Sequence, residues 1–134
     1  MNKLYRTWPP RRSIVRRLRF WLLLPCLLLA ALPALAHAML ERASPAVGST
    51  IKSAPAEITL RFTEKLEPGF STIAVTGRGG ERVDAGDPLV DPGDPMVLRT
   101  SLKPLAPGCY KVAWRVVSVD THVTQGDFNF TIAP

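Results

Sequence analysis

The chain has 134 residues, 17 of them basic and 11 acidic, for a formal net charge of +6. That charge is confined to one end: residues 1–36 hold 7 of the 17 basic side chains and none of the 11 acids, so residues 37–134 carry 10 against 11, a net of −1. Beyond residue 36 there is no basic excess to attract nucleic acid or anionic lipid, so those partner classes are excluded there.

The first 36 residues read as a secretory signal peptide. Lys3, Arg6, Arg11, Arg12, Arg16, Arg17 and Arg19 form a basic start, "FWLLLPCLLLAALPALA" an apolar middle, and Ala34-Leu35-Ala36 a small-x-small end. A membrane span needs about 20 apolar residues. This run is shorter, is interrupted by Pro25 and Pro33, and closes on a cleavage signal. A retained anchor is the competing reading. Arg11-Arg12 and Arg16-Arg17 leave twin-arginine export open beside general secretion. Lipidation at Cys26 is disfavoured, because Pro25 stands where such sites take a small residue. Cleavage after Ala36 is expected to leave residues 37–134 as one exported, periplasmic domain. Cys109 is then the only cysteine, so packing without a disulfide must hold that domain together.

Residues 37–134 show no helical period. "AMLERASPAVGS" reads as a short strand running into a loop. "EITLRF" (57–62) alternates apolar and polar residues, the pattern of a half-buried strand. "FSTIAVTG" (70–77) is a second such strand, bounded by Pro68-Gly69 and by a hairpin turn at Gly77, Gly79 and Gly80. "DAGDPLVDPGDP" reads as a rigid acidic loop. Its aspartates Asp84, Asp87, Asp91 and Asp94 fit no calcium-loop template and are expected as a solvated turn. "MVLRTSL" (96–102), "CYKVAWRVVSV" (109–119) and "GDFNFTI" (126–132) complete the strands. In the longest, Tyr110, Val112, Trp114 and Val116 share one face, and Trp114 is expected to anchor a core between two sheets. Cys109 opens that strand and is expected to be structural. Short strands joined by Gly/Pro turns predict an all-β antiparallel sandwich or barrel.

The chemistry is expected at the only two histidines, His37 and His122. In "SVDTHVTQG", Asp120 and His122 are two residues apart, and in extended chain alternate side chains share a face. His37 follows the cleavage signal directly. Once exposed, its α-amine and ring Nδ1 can chelate one metal in a six-membered ring. With a nitrogen of His122 and an oxygen of Asp120 this makes a roughly square N/O set, which suits Cu(II). Cleavage would thus create a two-nitrogen ligand.

With those residues in place, the chain from "HAMLERASPAVGS" through "ITLRFTEKL" to "LAPGCYKVAWRVVSVDTHVTQGDFNFTI" resembles the CopC copper-resistance family of periplasmic copper-binding proteins. The resemblance covers nearly all of residues 37–132. It implies a seven-stranded Greek-key β-sandwich of immunoglobulin type and one Cu(II) held by His37, Asp120 and His122. It implies that Glu64, in "FTEKL", is an acidic neighbour of the site, and that the protein is a non-catalytic monomer with a possible inner-membrane partner of the CopD kind. One departure is plain. Some members carry a methionine-rich loop for Cu(I) between the middle strands, whereas this chain reads "GRGGERVDAG" there, with only Met39 and Met96 after the leader. Two other classes stay open. A histidine-brace copper oxygenase also uses an N-terminal histidine, but Asp120 would fill the position oxygen needs. A metal-free immunoglobulin-like interaction module would show no metal dependence.

Overall fold

The computed structural model describes residues 37–134; the signal-peptide expectation for residues 1–36 lies outside the described residues. Eight strands form: β1 (Leu40–Ser44), β2 (Thr50–Ile51), β3 (Glu57–Phe62), β4 (Thr72–Thr76), β5 (Leu89–Asp91), β6 (Asp94–Ser101), β7 (Gly108–Val117) and β8 (Val123–Ile132). They build two four-stranded sheets, ordered β1-β3-β6-β5 and β2-β8-β7-β4. Every connection between these strands except β5 to β6 and β7 to β8 passes between sheets, giving the expected Greek-key β-sandwich. The segments read from the sequence account for six of the eight strands in the described residues; the other two, β2 and β5, are only two and three residues long, too short to show alternation.

The two sheets bury the alternate apolar residues against each other. Ile58, Leu60 and Phe62 come from β3, Ile73 and Val75 from β4, Leu98 from β6, and Val112, Val116, Phe128 and Phe130 from the β7–β8 hairpin. That hairpin pairs along its whole length, from Gly108 with Ile132 to Val117 with Val123. Tyr110 stacks on its partner Phe130 at 5.4 Å between ring centroids. Trp114 bridges the sheets as expected, its ring edge-on to Phe62 at 5.1 Å. It is only half-buried and packs against the edge of the core rather than inside it.

Two expectations are corrected. The segment 84–95 is not a solvated acidic turn. It contains β5 and the start of β6, and its carboxylates are committed one by one. Asp84, 3% exposed, accepts hydrogen bonds from Val75 N (2.8 Å), Arg82 Nε (2.7 Å) and Gly86 N (3.1 Å). Asp87 accepts from Thr100 Oγ1 and Ser101 N, Asp91 from Gly93 N, and Asp94 from Met96 N and Arg61. Short carboxylates serve as backbone acceptors wherever turns leave N–H groups unpaired. Cys109 is not a packing residue either: it is exposed, with Sγ 3.3 Å from Thr131 Oγ1.

Candidate metal centre

Three segments meet at one end of the sandwich. The first is residues 37–39, leading into β1. Ala38 is fully buried and plugs this strand into the core. Thr63, just past β3, clasps it from the side: Thr63 N donates to Met39 O at 2.9 Å, Met39 N donates to Thr63 Oγ1 at 3.0 Å, and that hydroxyl lies 3.4 Å from His37 O. An apolar residue and three polar contacts thus hold the backbone beside His37, while its ring stays exposed.

The second segment is the β3–β4 connection. Leu66 is buried and pairs with Ser118 in an isolated antiparallel bridge, Val119 N donates to Lys65 O at 3.0 Å, and Glu67 N donates to Val117 O at 2.7 Å. The connection therefore extends the second sheet and fixes the third segment, the β7–β8 turn at 118–122.

That turn decides where Asp120 and His122 go. Thr121 N donates to Ser118 O at 2.8 Å, and Ser118 N donates to His122 O at 3.0 Å. Thr121 is left-handed, with φ of 73°. A tight turn closed by one left-handed residue is a common three-residue hairpin loop. Asp120 and His122 were expected to meet through strand alternation. They meet instead because the turn folds Asp120 back: its Oδ2 stands 3.0 Å from His122 Nδ1.

The turn also brings His122 beside His37, the first described residue. The His37 and His122 rings lie 5.2 Å apart between centroids and tilted by 55°. His122 is thus the common neighbour of His37 and Asp120. Among the described residues, no three His, Cys, Asp or Glu side chains already stand together as a metal-ligand group. Glu64 follows Thr63 and is exposed. The Asp120 carboxyl lies below the usual carboxylate range. The Ser118 hydroxyl is the main cause; burial opposes it, and weaker hydrogen bonds from the His122 side chain and backbone add to it. Ser118 and Thr63 escaped the sequence reading. Ser two residues before Asp in a turn is a hydroxyl-capping pattern, but that pattern gives no hint of metal chemistry.

Comparison with known proteins identifies the lineage. The CopC domain model matches residues 40–133. Protein YobA of Escherichia coli (strain K12) is 36% identical over 121 residues, covering 90% of this chain and 98% of that protein. Copper resistance protein C of Xanthomonas campestris pv. juglandis is 37% identical, covering 78% of this chain and 86% of that one. Copper transport protein CutJ of Bacillus subtilis (strain 168) is 35% identical over 88% of this chain, but the chain spans only 22% of CutJ. Among solved structures, CopC from Methylosinus trichosporium OB3b superposes with a TM-score of 0.69 at 32% identity, covering 73% of this chain and 95% of that one. PcoC from Escherichia coli, described as a methionine-rich copper resistance protein, gives 0.60 at 36% identity, covering 72% and 99%. This chain has three methionines in all, Met1, Met39 and Met96, so it lacks that richness. The chain belongs to the CopC domain family.

Proposed function

We propose that this protein is a periplasmic Cu(II) carrier or buffer, exported by cleavage after Ala36 and active as residues 37–134. One Cu(II) binds per chain, at the α-amine and ring of His37, at His122 and at Asp120. Glu64 contributes negative charge beside the site without ligating. The protein is monomeric and non-catalytic. It sequesters copper or passes it to an inner-membrane transporter of the CopD kind.

The observation that carries this reading is the position of His122 between His37 and Asp120. Ligand atoms on neighbouring corners of a square site, each about 2.0–2.1 Å from the metal, stand about 3 Å apart. The 3.0 Å between Asp120 Oδ2 and His122 Nδ1 supports that spacing. The donor set of nitrogens with one carboxylate suits Cu(II) rather than Cu(I), which prefers sulfur. Proteins named for copper resistance and copper transport among the relatives support copper as the cargo.

The test begins with mass-spectrometric N-terminal sequencing of the exported protein. His37 is the expected first residue. Met39 as the first residue would remove the chelating histidine and overturn this site. Cu(II) titration of protein starting at His37 should then reach one tight ion per chain. Protein with one extra residue before His37 should bind far more weakly, since the imidazole remains but the amine is lost. Equal binding by the two would remove the amine from the ligand set.

A further inference from the structure

Ser118 is 1% exposed, yet its hydroxyl touches two exposed residues of the turn it opens, Asp120 and His122. Its hydroxyl meets Asp120 Oδ1 and lies 3.1 Å from His122 O. A serine hydroxyl has one proton to give. His122 O is a neutral carbonyl that also receives the Ser118 backbone N–H at 3.0 Å, whereas the Asp120 carboxylate is charged and is the stronger acceptor. The hydroxyl proton goes to Asp120 Oδ1. That occupies one carboxylate oxygen and leaves Oδ2 turned to His122 Nδ1. The hydroxyl itself does not wander: the backbone bridge from Ser118 to Leu66, whose side chain is buried, fixes its origin.

We propose that Ser118 is a positioning residue for the metal centre: by holding Asp120 Oδ1 it presents Oδ2 alone, so that Asp120 binds copper through one oxygen at a fixed corner. The inference rests on the copper reading above and adds to it a buried hydroxyl that never touches the ion. Without that hydroxyl the carboxylate is free to rotate, to offer both oxygens or to turn to solvent. Groups that orient metal ligands commonly matter by 10- to 100-fold in affinity.

The experiment compares protein starting at His37 with its Ser118→Ala, Asp120→Ala and doubly substituted forms. Cu(II) affinity is measured by competition titration, and the Cu(II) environment by electron paramagnetic resonance. Ser118→Ala should bind about 10- to 100-fold more weakly and shift the copper g and hyperfine values. In the Asp120→Ala background the same change should do almost nothing, because Ser118 acts through Asp120. Unchanged affinity and spectrum in Ser118→Ala overturn the proposal. So does an equal loss in both backgrounds, which would make Ser118 a merely structural residue. If Ser118→Ala does not fold, the original serine protein decides by nuclear magnetic resonance at low temperature. A protected Ser118 hydroxyl proton, lost in Asp120→Ala, is expected, and its absence overturns the proposal. Failure of the unsubstituted protein to bind Cu(II) at all is a different result, and it defeats the copper reading itself.

Discussion

Gly126 supplies the space that the Trp114 indole fills. The two residues pair across the β7–β8 hairpin, and a Cβ at position 126 would stand 2.7 Å from Trp114 Cζ2 and 3.1 Å from Cε2. The ring also meets Phe62 on the opposite sheet, so moving aside for a Cβ would disturb that contact. Gly126→Ala should destabilise the domain by about 1–3 kcal/mol, the usual cost of overpacking, and shift Trp114 emission. Chemical denaturation checks this; unchanged stability would mean that the indole moves aside freely.

Thr121 is a β-branched residue at φ of 73°. The left-handed region costs a non-glycine residue about 1–2 kcal/mol, and glycine relieves that at some cost in unfolded-state entropy. Thr121→Gly should therefore stabilise the protein by about 0.5–1 kcal/mol, seen as a rise of a few degrees in Tm. A lower Tm would show that the threonine side chain makes a compensating contact.

Asp84 contributes to acid stability. Burial pushes its pKa up, but hydrogen bonds from Arg82 and from the backbone of Val75 and Gly86, with the Arg82 charge, bring it down from 3.8 to about 2. The folded state thus favours the carboxylate. This contribution is full above the unfolded pKa near 4 and disappears as pH falls through about 2. Its size at neutral pH is about 2 kcal/mol. Asp84→Asn should lose about that much at pH 7 and much less at pH 2, measured by urea unfolding across pH. A penalty independent of pH would contradict the assignment.

Thr63 clasps the strand that carries His37. Thr63→Val keeps the shape and removes the hydroxyl. Losing about 1 kcal/mol of hydrogen bonding should weaken Cu(II) binding roughly fivefold, whereas Thr63→Ser should restore it. Equal affinities for threonine and valine would leave Ala38 and the backbone bond from Thr63 N to Met39 O as the anchors of residues 37–39.

Trp114 reports on the centre. It is the only tryptophan in residues 37–134. The chain from Trp114 to Asp120 reaches at most about 20 Å, and Phe62 beside Trp114 is followed directly by Thr63 of the clasp. Cu(II) should quench Trp114 emission with an endpoint at one ion per chain, and Zn(II), with its filled d shell, should quench little. The affinity should fall as pH drops, since protons compete for the nitrogen ligands. A second tight endpoint would contradict a single site.

The β class, the positions of β3 and of the β7–β8 hairpin, and the two sheet-facing rows of apolar residues were all readable in the sequence. The reason is that a strand buried on one side must alternate with a period of two, and that period needs no knowledge of its neighbours. The rarity of histidine likewise singled out His37 and His122, and the resemblance added their chemistry. Tertiary structure alone decided the rest. Asp84 and its neighbours became internal acceptors because the partners that claim them, such as Val75 N and Thr100, lie on other strands. β5 became a strand because β6 was there to pair with it. Asp120 turned onto His122 through a left-handed Thr121 that strand alternation does not foresee, and Ser118 is held under that turn by its bridge to Leu66. The meeting of His37 with His122 is of the same kind: residues near opposite ends of the domain come together only when both sheets are built, because that contact is made by the closing of the sandwich.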